Sequence, residues 1–314
     1  MASVAYPPVT ITILNYQRQE TLRLAIQSAL RQVYPCLEVL VVDNASTDGS
    51  AQMVAETFPG VRLIQLPTNI GCAARNHGVA AAGGDIVVTI DNDVLLTTPQ
   101  DVQTIVALFT QYPAVACIDF KILDTDGGLS RRDWCHPRDW RYFADEEFLT
   151  DYVLEGACAF RRQTFEQVDG YWGPLFIGHE GHDLAYRLLG AGYDLLYSPR
   201  VQVTHLVSAT ARPSSRIYYT FTRNAIWVSL RNHRPTAAAC DLAKYMGLMA
   251  FSALRAHQLR SYLRGLWDGL VGVPCAMASR SPLDAAAYRR LRRIRHLQPR
   301  VFAKIKRHVR ERPI

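Results

Sequence analysis

Asp91-Asn92-Asp93 places two carboxylates on either side of one residue, directly after the apolar run Asp85–Ile90. Two hard oxygen ligands so spaced can hold a divalent cation whose shell is completed by phosphate oxygens. The same three residues can also form a turn closed by an Asx bond. Upstream, Asp43 follows the run Glu38–Val42. A carboxylate there can accept a hydrogen bond from a nucleobase N–H. Asn15-Tyr16, after Val9–Leu14, offers an amide and a ring able to stack on that base.

These groups need elements that carry them to one place. Val9–Leu14 reads as a β-strand, and a helical pattern runs from about Glu20 to Gln32. Glu38–Val42 is continuous and apolar, as in a strand covered on both faces. Ser46-Thr47-Asp48 supplies N-cap chemistry for the next helix. Val61–Leu66 is a third strand, and Asn69–Gly71 leads into an Ala-rich helix through Ala82, closed by Gly83-Gly84 as a C-cap. Asp85–Ile90 is the fourth strand. This alternation predicts an α/β fold with a Rossmann-like, mainly parallel sheet flanked by helices, its ligands at the carboxyl ends of the strands. Asp43, Asp91 and Asp93 fall at such ends. A helix near 100–111, a strand at Ala114–Ile118 and a charged aromatic loop from Asp133 to Asp151 follow, and beyond Pro235 the pattern is helical.

The chain has 314 residues, 49% of them hydrophobic and 10% aromatic, which supports a large core and argues against disorder. Its net charge of +7 would suit a nucleic-acid binder. The distribution argues otherwise. Residues 281–314 hold 11 Lys/Arg against Asp284 and Glu311, whereas residues 1–230 carry 17 basic and 24 acidic groups. An acidic body with a basic tail is not the pattern expected for a nucleic-acid partner. The seven cysteines include no CxxC and read as scattered thiols in a reducing cytoplasm. Neither a signal peptide nor a membrane-spanning run is expected.

Together, TITILNYQR, VVDNASTDGS, TNIGCAARNHGVAAAGGDIVVTIDND, and EGACAFRRQTFEQVDGYWG through HEGHDLAYRLLGAGYDLLYSPRVQVTH resemble the family 2 glycosyltransferases, whose fold is GT-A. The resemblance covers roughly residues 9–235. It is nearest to the bacterial branch that includes rhamnosyltransferase-like enzymes of polysaccharide and glycolipid assembly. It implies a GT-A domain over 1–235, with a nucleotide-sugar-binding half (1–98) and an acceptor and catalytic half (99–235), then a helical extension over 236–314. It implies that Tyr16 and Asp43, with Asn15 beside them, hold the nucleobase. Arg75 would lie near the base or diphosphate, Asp91 at the ribose, and Asp93 on a Mn2+ or Mg2+ ion bridging the phosphates. No GxGxxG follows the first strand, so a dinucleotide-binding reading lacks its phosphate loop.

Many members of that family carry an acidic pair, the second acid being the base that takes the acceptor's proton. Here the stretch is His179-Glu180-Gly181-His182-Asp183-Leu184, with Gly181 at the usual base position. Glu180 or Asp183 can substitute if the backbone brings it to the acceptor, and the neighbouring glycine favours Glu180. Alternatively both cap a helix starting near Leu184. The resemblance further implies that His205 completes the metal site. Trp172 and His179 line a sugar or acceptor pocket, or else belong to the core.

Residues 287–297 and 300–311 each present an apolar arc on a helical wheel. In the first, Ala287, Tyr288, Leu291 and Ile294 form it, with Arg295 inside. Such basic helices suit an anionic membrane surface, with Trp267 as a further anchor. The alternative is a tail that packs its stripe on the acidic body. The whole reading is a metal-dependent, inverting transfer from a nucleoside diphosphate sugar to a polyprenyl-linked saccharide or glycolipid, at the cytoplasmic face of the cell membrane. A soluble peptide or secondary-metabolite acceptor, or a silent nucleotide-sugar-binding protein, are the alternatives that Gly181 leaves open.

Overall fold

A computed structural model describes residues 6–206 and 214–296. The N-terminal part runs β1 (Val9–Asn15), α1 (Gln19–Leu30), β2 (Leu37–Asp43), α2 (Ser50–Thr57), β3 (Arg62–Gln65), α3 (Ala74–Ala81) and β4 (Ile86–Asp91). α1 buries Leu22, Ala25, Ile26 and Ala29, an i, i+3, i+4, i+7 stripe. That stripe packs in one cluster with Val9, Ile11 and Val88 of the sheet. Two local expectations change. α2 begins at Ser50 rather than beside Ser46, because Gly49 takes a left-handed conformation and Asp48 Oδ1 accepts from the Ser50 amide at 3.1 Å. α3 gives way to an extended Ala82, and neither Gly83 nor Gly84 forms a left-handed cap.

The chain continues through β5 (Val94–Leu96), α4 (Asp101–Gln111), β6 (Val115–Leu123), α5 (Trp140–Phe143), β7 (Phe148–Leu149), β8 (Ala157–Arg161), α6 (Arg162–Gln167), α7 (Glu180–Gly190) and β9 (Asp194–His205). The segment 133–151, expected as a loop, thus contains α5 and β7. The strands lie in the order β3-β2-β1-β4-β8-β6-β9-β5, with β7 on β9. The first four are all parallel, β8 runs antiparallel to β4 and β6, and β9 is parallel to β6. From β1 the chain moves outward to β2 and β3, then returns to the other side of β1 as β4. A crevice therefore opens at the carboxyl ends of β1 and β4, where the direction of winding reverses. The register sets Asn15 opposite Asp43 and Leu14 opposite Asp91, so the expected polar groups stand in one row.

The C-terminal helices are α8 (Ser214–Asn232), α9 (Pro235–Arg255), α10 (Leu259–Val271), α11 (Val273–Ala278) and α12 (Ala285–His296). A second apolar cluster joins Val79 of α3 and Leu184 and Leu188 of α7 to Ile226 and Trp227 of α8 and to Leu291 and Ile294 of α12. Each such fully buried side chain contributes roughly 1.5–3 kcal/mol. The stripe of α12 is therefore seated on the body, which corrects the membrane-facing expectation for 287–297 over its described part, 287–296. Arg295, inside that stripe, meets buried Asp151 at 2.5 Å and the Tyr186 hydroxyl at 2.7 Å. The body supplies both an apolar seat and an acidic partner, so packing there wins. The second amphipathic stretch, 300–311, lies outside the described residues. No described helix is long and apolar enough to cross a membrane. All seven cysteines are free thiols.

Candidate active site

Asp43, at the end of β2, is buried. Its Oδ1 accepts from Asn15 Nδ2 at 2.8 Å and its Oδ2 from the Ser46 amide at 3.0 Å. Asn15 also accepts from Asn92 Nδ2 at 2.7 Å and is itself completely buried. It ties the ends of β2 and β4 together, so it positions Asp43 rather than facing a base. The Tyr16 ring beside it is 46% exposed, open to stacking. Arg75, in the first turn of α3, pairs with Asp91, and its guanidinium lies 5.8 Å over the Tyr171 ring. Asp91 in turn lies against Gly156, where a Cβ would overlap its carboxylate.

Asp93 and His205 are brought together by the sheet. β5 pairs with β9 in the register Val94↔His205, and the Leu206 amide donates to the Asp93 carbonyl at 2.7 Å. Asp93 Oδ2 and His205 Nε2 consequently stand 3.5 Å apart. One divalent ion can touch both at ligand distances of about 2.1 Å. His205 Nδ1 donates to Asp133 Oδ2 at 2.8 Å, which holds the imidazole in one orientation with Nε2 toward Asp93. The residues present thus fit a metal. The hydrogen bonds to Asp133 and then to Asp93 push the His205 pKa up to about 9. Burial raises the Asp93 pKa, but the hydrogen bond from His205 and the charges of His205 and Arg18 outweigh it and hold the carboxyl below its ordinary value. Arg18 pairs directly with Asp93. An open groove of about 360 Å³, lined by Asp124, Asp126, Arg131, Arg132 and Trp140, adjoins Asp133 and His205. It connects through Arg132, whose Nε lies 3.4 Å from Asp133 Oδ2.

The two carboxylates of the α7 segment part company. The helix starts at Glu180, four residues before its expected beginning. Asp183 is completely buried and accepts from Arg231 Nη1 at 2.6 Å, Arg187 Nη2 at 2.7 Å and Asn232 Nδ2 at 2.7 Å. Enclosed in this way it holds α7 to α8, which corrects its assignment as a base. Glu180, also buried, lies near Glu155, whose carboxyl is pushed up to about 8 by burial and then by the charge of Glu180. Trp172 packs edge-on to Trp227 at 6.0 Å with Arg231 4.9 Å over its ring, within the second core cluster. His179 takes a left-handed conformation before α7, sets Nε2 3.0 Å from the Tyr245 hydroxyl, and is kept neutral by burial, its pKa lowered to about 3. Arg18, Asp133 and Glu155 were not singled out from sequence. Arg18 closes the TITILNYQR segment and Glu155 opens EGACAFRRQTF, so both lay inside legible motifs.

The family model described as glycosyl transferase family 2 matches residues 10–169, about half of the chain. The N-acetylglucosaminyl-diphospho-decaprenol L-rhamnosyltransferase of Mycobacterium tuberculosis is 30% identical over 203 residues, covering 54% of this chain and 66% of that protein. An O-antigen biosynthesis protein of Myxococcus xanthus is 25% identical over 252 residues, covering 73% of this chain and 19% of its own length. The chain spans about a quarter or less of several curated relatives it matches, at 25%, 19% and 26% of their lengths. Among solved structures, GalNAc-T7 with UDP, GalNAc and Mn2+ superposes with a TM-score of 0.62 at 15% identity, covering 88% of this chain and 58% of the other. That likeness bears out the expected GT-A fold. With half the chain matched in the order and spacing that set the carboxylate row, the chain belongs to glycosyl transferase family 2.

Proposed function

We propose that the chain transfers a sugar, with inversion, from a nucleoside diphosphate sugar to a hydroxyl of a polyprenyl-linked saccharide or glycolipid. The observation that carries this reading is the convergence of Asp43, Arg75, Asp91, Asp93 and His205 on one strand-end crevice. In this reading Asp43 accepts from the base while Tyr16 stacks on it. Asp91, held by Arg75, faces the ribose. Asp93 and His205 would hold Mn2+ or Mg2+, which supplies charge neutralisation at the departing diphosphate. Arg18 adds a protein cation at the same place. A carboxylate packed against the N-terminal end of α7 takes the acceptor's proton. Residues 1–98 then form the donor half, 99–235 the acceptor and catalytic half, and 236–314 the extension. The name of the mycobacterial relative, a decaprenol-linked acceptor within it, supports the lipid-linked class.

The test is a panel of UDP-, dTDP- and GDP-sugars with Mn2+ or EDTA, read by thermal shift and nucleotide release. One base should raise the melting temperature and release its nucleoside diphosphate, and EDTA should abolish the release. No shift with any donor, or release indifferent to EDTA, contradicts the reading.

Attachment to an anionic membrane at the cytoplasmic face is part of the same proposal, and α10 supports it. Leu263, Leu270 and Val271 are exposed along it, and Trp267 is 68% exposed. Arg260 and Arg264 are exposed on the same helix. Replacing both Trp267 and Leu263 by Ser should weaken co-sedimentation with phosphatidylglycerol vesicles at least tenfold, from roughly 1.5–3 kcal/mol per buried side chain. Unchanged pelleting contradicts it.

A further inference from the structure

Gly181 stands where the family's base is expected, and Asp183 is enclosed by arginines. The geometry around Gly181 points to another carboxylate. It is the second residue of α7, and a Cβ there would overlap both the Val153 carbonyl oxygen and Glu155 Oε1. The missing side chain lets segment 153–156 close onto the helix N-terminus, and the Glu155 carboxylate fills the vacated volume. That segment is tightly held. The Leu154 amide donates to Asp119 Oδ1 at 3.0 Å, Thr89 Oγ1 donates to the Glu155 carbonyl at 3.2 Å, and the Asp91 amide donates to the Gly156 carbonyl at 3.1 Å. Gly156 thereby lies under Asp91, so Glu155 is one residue from the donor crevice. The carboxylate itself accepts from the Tyr152 hydroxyl at 3.3 Å and from the Gly181 amide. Unlike Asp183, Glu155 is only half-buried.

We propose that Glu155 is the general base of the transfer, supplying in space the carboxylate that position 181 lacks in sequence. The proposal rests on the nucleotide-sugar reading above. A lone pair of the Glu155 carboxylate takes the proton of the acceptor hydroxyl as the hydroxyl oxygen bonds to the anomeric carbon. The bond from that carbon to the diphosphate oxygen breaks, and its electron pair leaves with the nucleoside diphosphate. The resulting carboxylic acid returns its proton to solvent. Glu180 of α7, Arg75 of α3, Tyr152 just before the segment, and Cys72, Cys135 and Tyr171 are ionisable groups that act on this carboxylate. Burial and the Glu180 charge raise its pKa while Arg75 opposes them, leaving a base poised near neutral pH. Glu180 is then a positioning residue that keeps Glu155 basic.

Glu155→Gln separates this from a merely structural role, because glutamine keeps the shape and still accepts from the Gly181 amide. The full chain is assayed with Mn2+ and the UDP-, dTDP- or GDP-sugar giving the largest thermal shift, with water as acceptor. Nucleotide release should fall at least about a hundredfold in Glu155→Gln. The thermal shift by the matching nucleoside diphosphate should be retained, and Glu155→Asp should recover part of the rate. Release within threefold of wild type overturns the proposal. So does loss of the rate in Glu180→Gln with retention in Glu155→Gln, or loss of nucleotide binding together with rate. A wild-type chain that neither binds nor cleaves any of these donors overturns the transferase reading itself, a result distinct from the others.

Discussion

Asp93→Ala is expected to lower nucleotide-sugar turnover by roughly 10²–10³-fold or more, the scale seen when one electrostatic contact to developing charge is removed. The substitution takes away the carboxylate that would share a cation with His205, 3.5 Å away, and leaves Arg18 without its partner. Departure of the diphosphate then loses its strongest support. A graded companion is Asp133→Asn. It spares both candidate ligands but removes the carboxylate that orients the His205 ring at 2.8 Å. Loss of such an outer-shell partner typically costs about 10–100-fold in metal affinity or activity. Rates measured across a Mn2+ titration distinguish the two, since Asp133→Asn should be partly rescued by excess metal and Asp93→Ala should not. Equal, unrescued losses would mean that Asp133 serves the fold rather than the metal.

The largest effect on stability belongs to Asp183→Asn. Asp183 is completely buried and neutralises Arg187 and Arg231, each itself buried. Removing the anion leaves two guanidinium groups facing one another out of water. Breaking a buried pair by deleting one partner costs about 3–5 kcal/mol. For a chain of 314 residues, with an unfolding entropy of about 2.1 cal/mol/K per residue, the melting temperature should fall by roughly 5–8 °C. Turnover per folded molecule should be near that of wild type, because Asp183 ties α7 to α8 and proton transfer is proposed for Glu155. Denaturant melts paired with nucleotide-release assays test both halves. A variant of unchanged stability but no activity would return Asp183 to the role of base.

The parallel half of the sheet was legible because its strands are covered on both faces. β2 then reads as an apolar run after Glu38, and β1 and β4 as apolar runs interrupted only by threonine, each stopping at a polar residue that can be named. Asp43, Asp91 and Asp93 were legible for the same reason. The partnership of Asp93 with His205 rests instead on the β5–β9 ladder, and no local pattern announces an antiparallel pairing between segments so far apart in sequence. Family resemblance, rather than periodicity, supplied it. Glu180 and Asp183 look alike in sequence, and what separates them is Arg231 and Asn232, which approach from α8. The helical wheel of α12 reported a stripe correctly but carries no information on what covers it. The same arc of Ala287, Leu291 and Ile294 would suit a bilayer, and here it meets the protein. Glu155 lay in a legible motif, but the role proposed for it was invisible for a further reason. The gap at Gly181 could be seen, but what fills it depends on how closely segment 153–156 approaches the helix.

One crevice, at the carboxyl ends of β1, β2 and β4, is proposed to hold a metal-bound nucleoside diphosphate sugar. Crystals of the chain soaked with Mn2+ and the best-binding nucleoside diphosphate test it most directly, through the anomalous signal of manganese. One manganese peak is expected in contact with Asp93 and His205, with the base against Tyr16 and Asp43. A nucleotide bound elsewhere, or bound in this crevice with no manganese at Asp93 and His205, would contradict it.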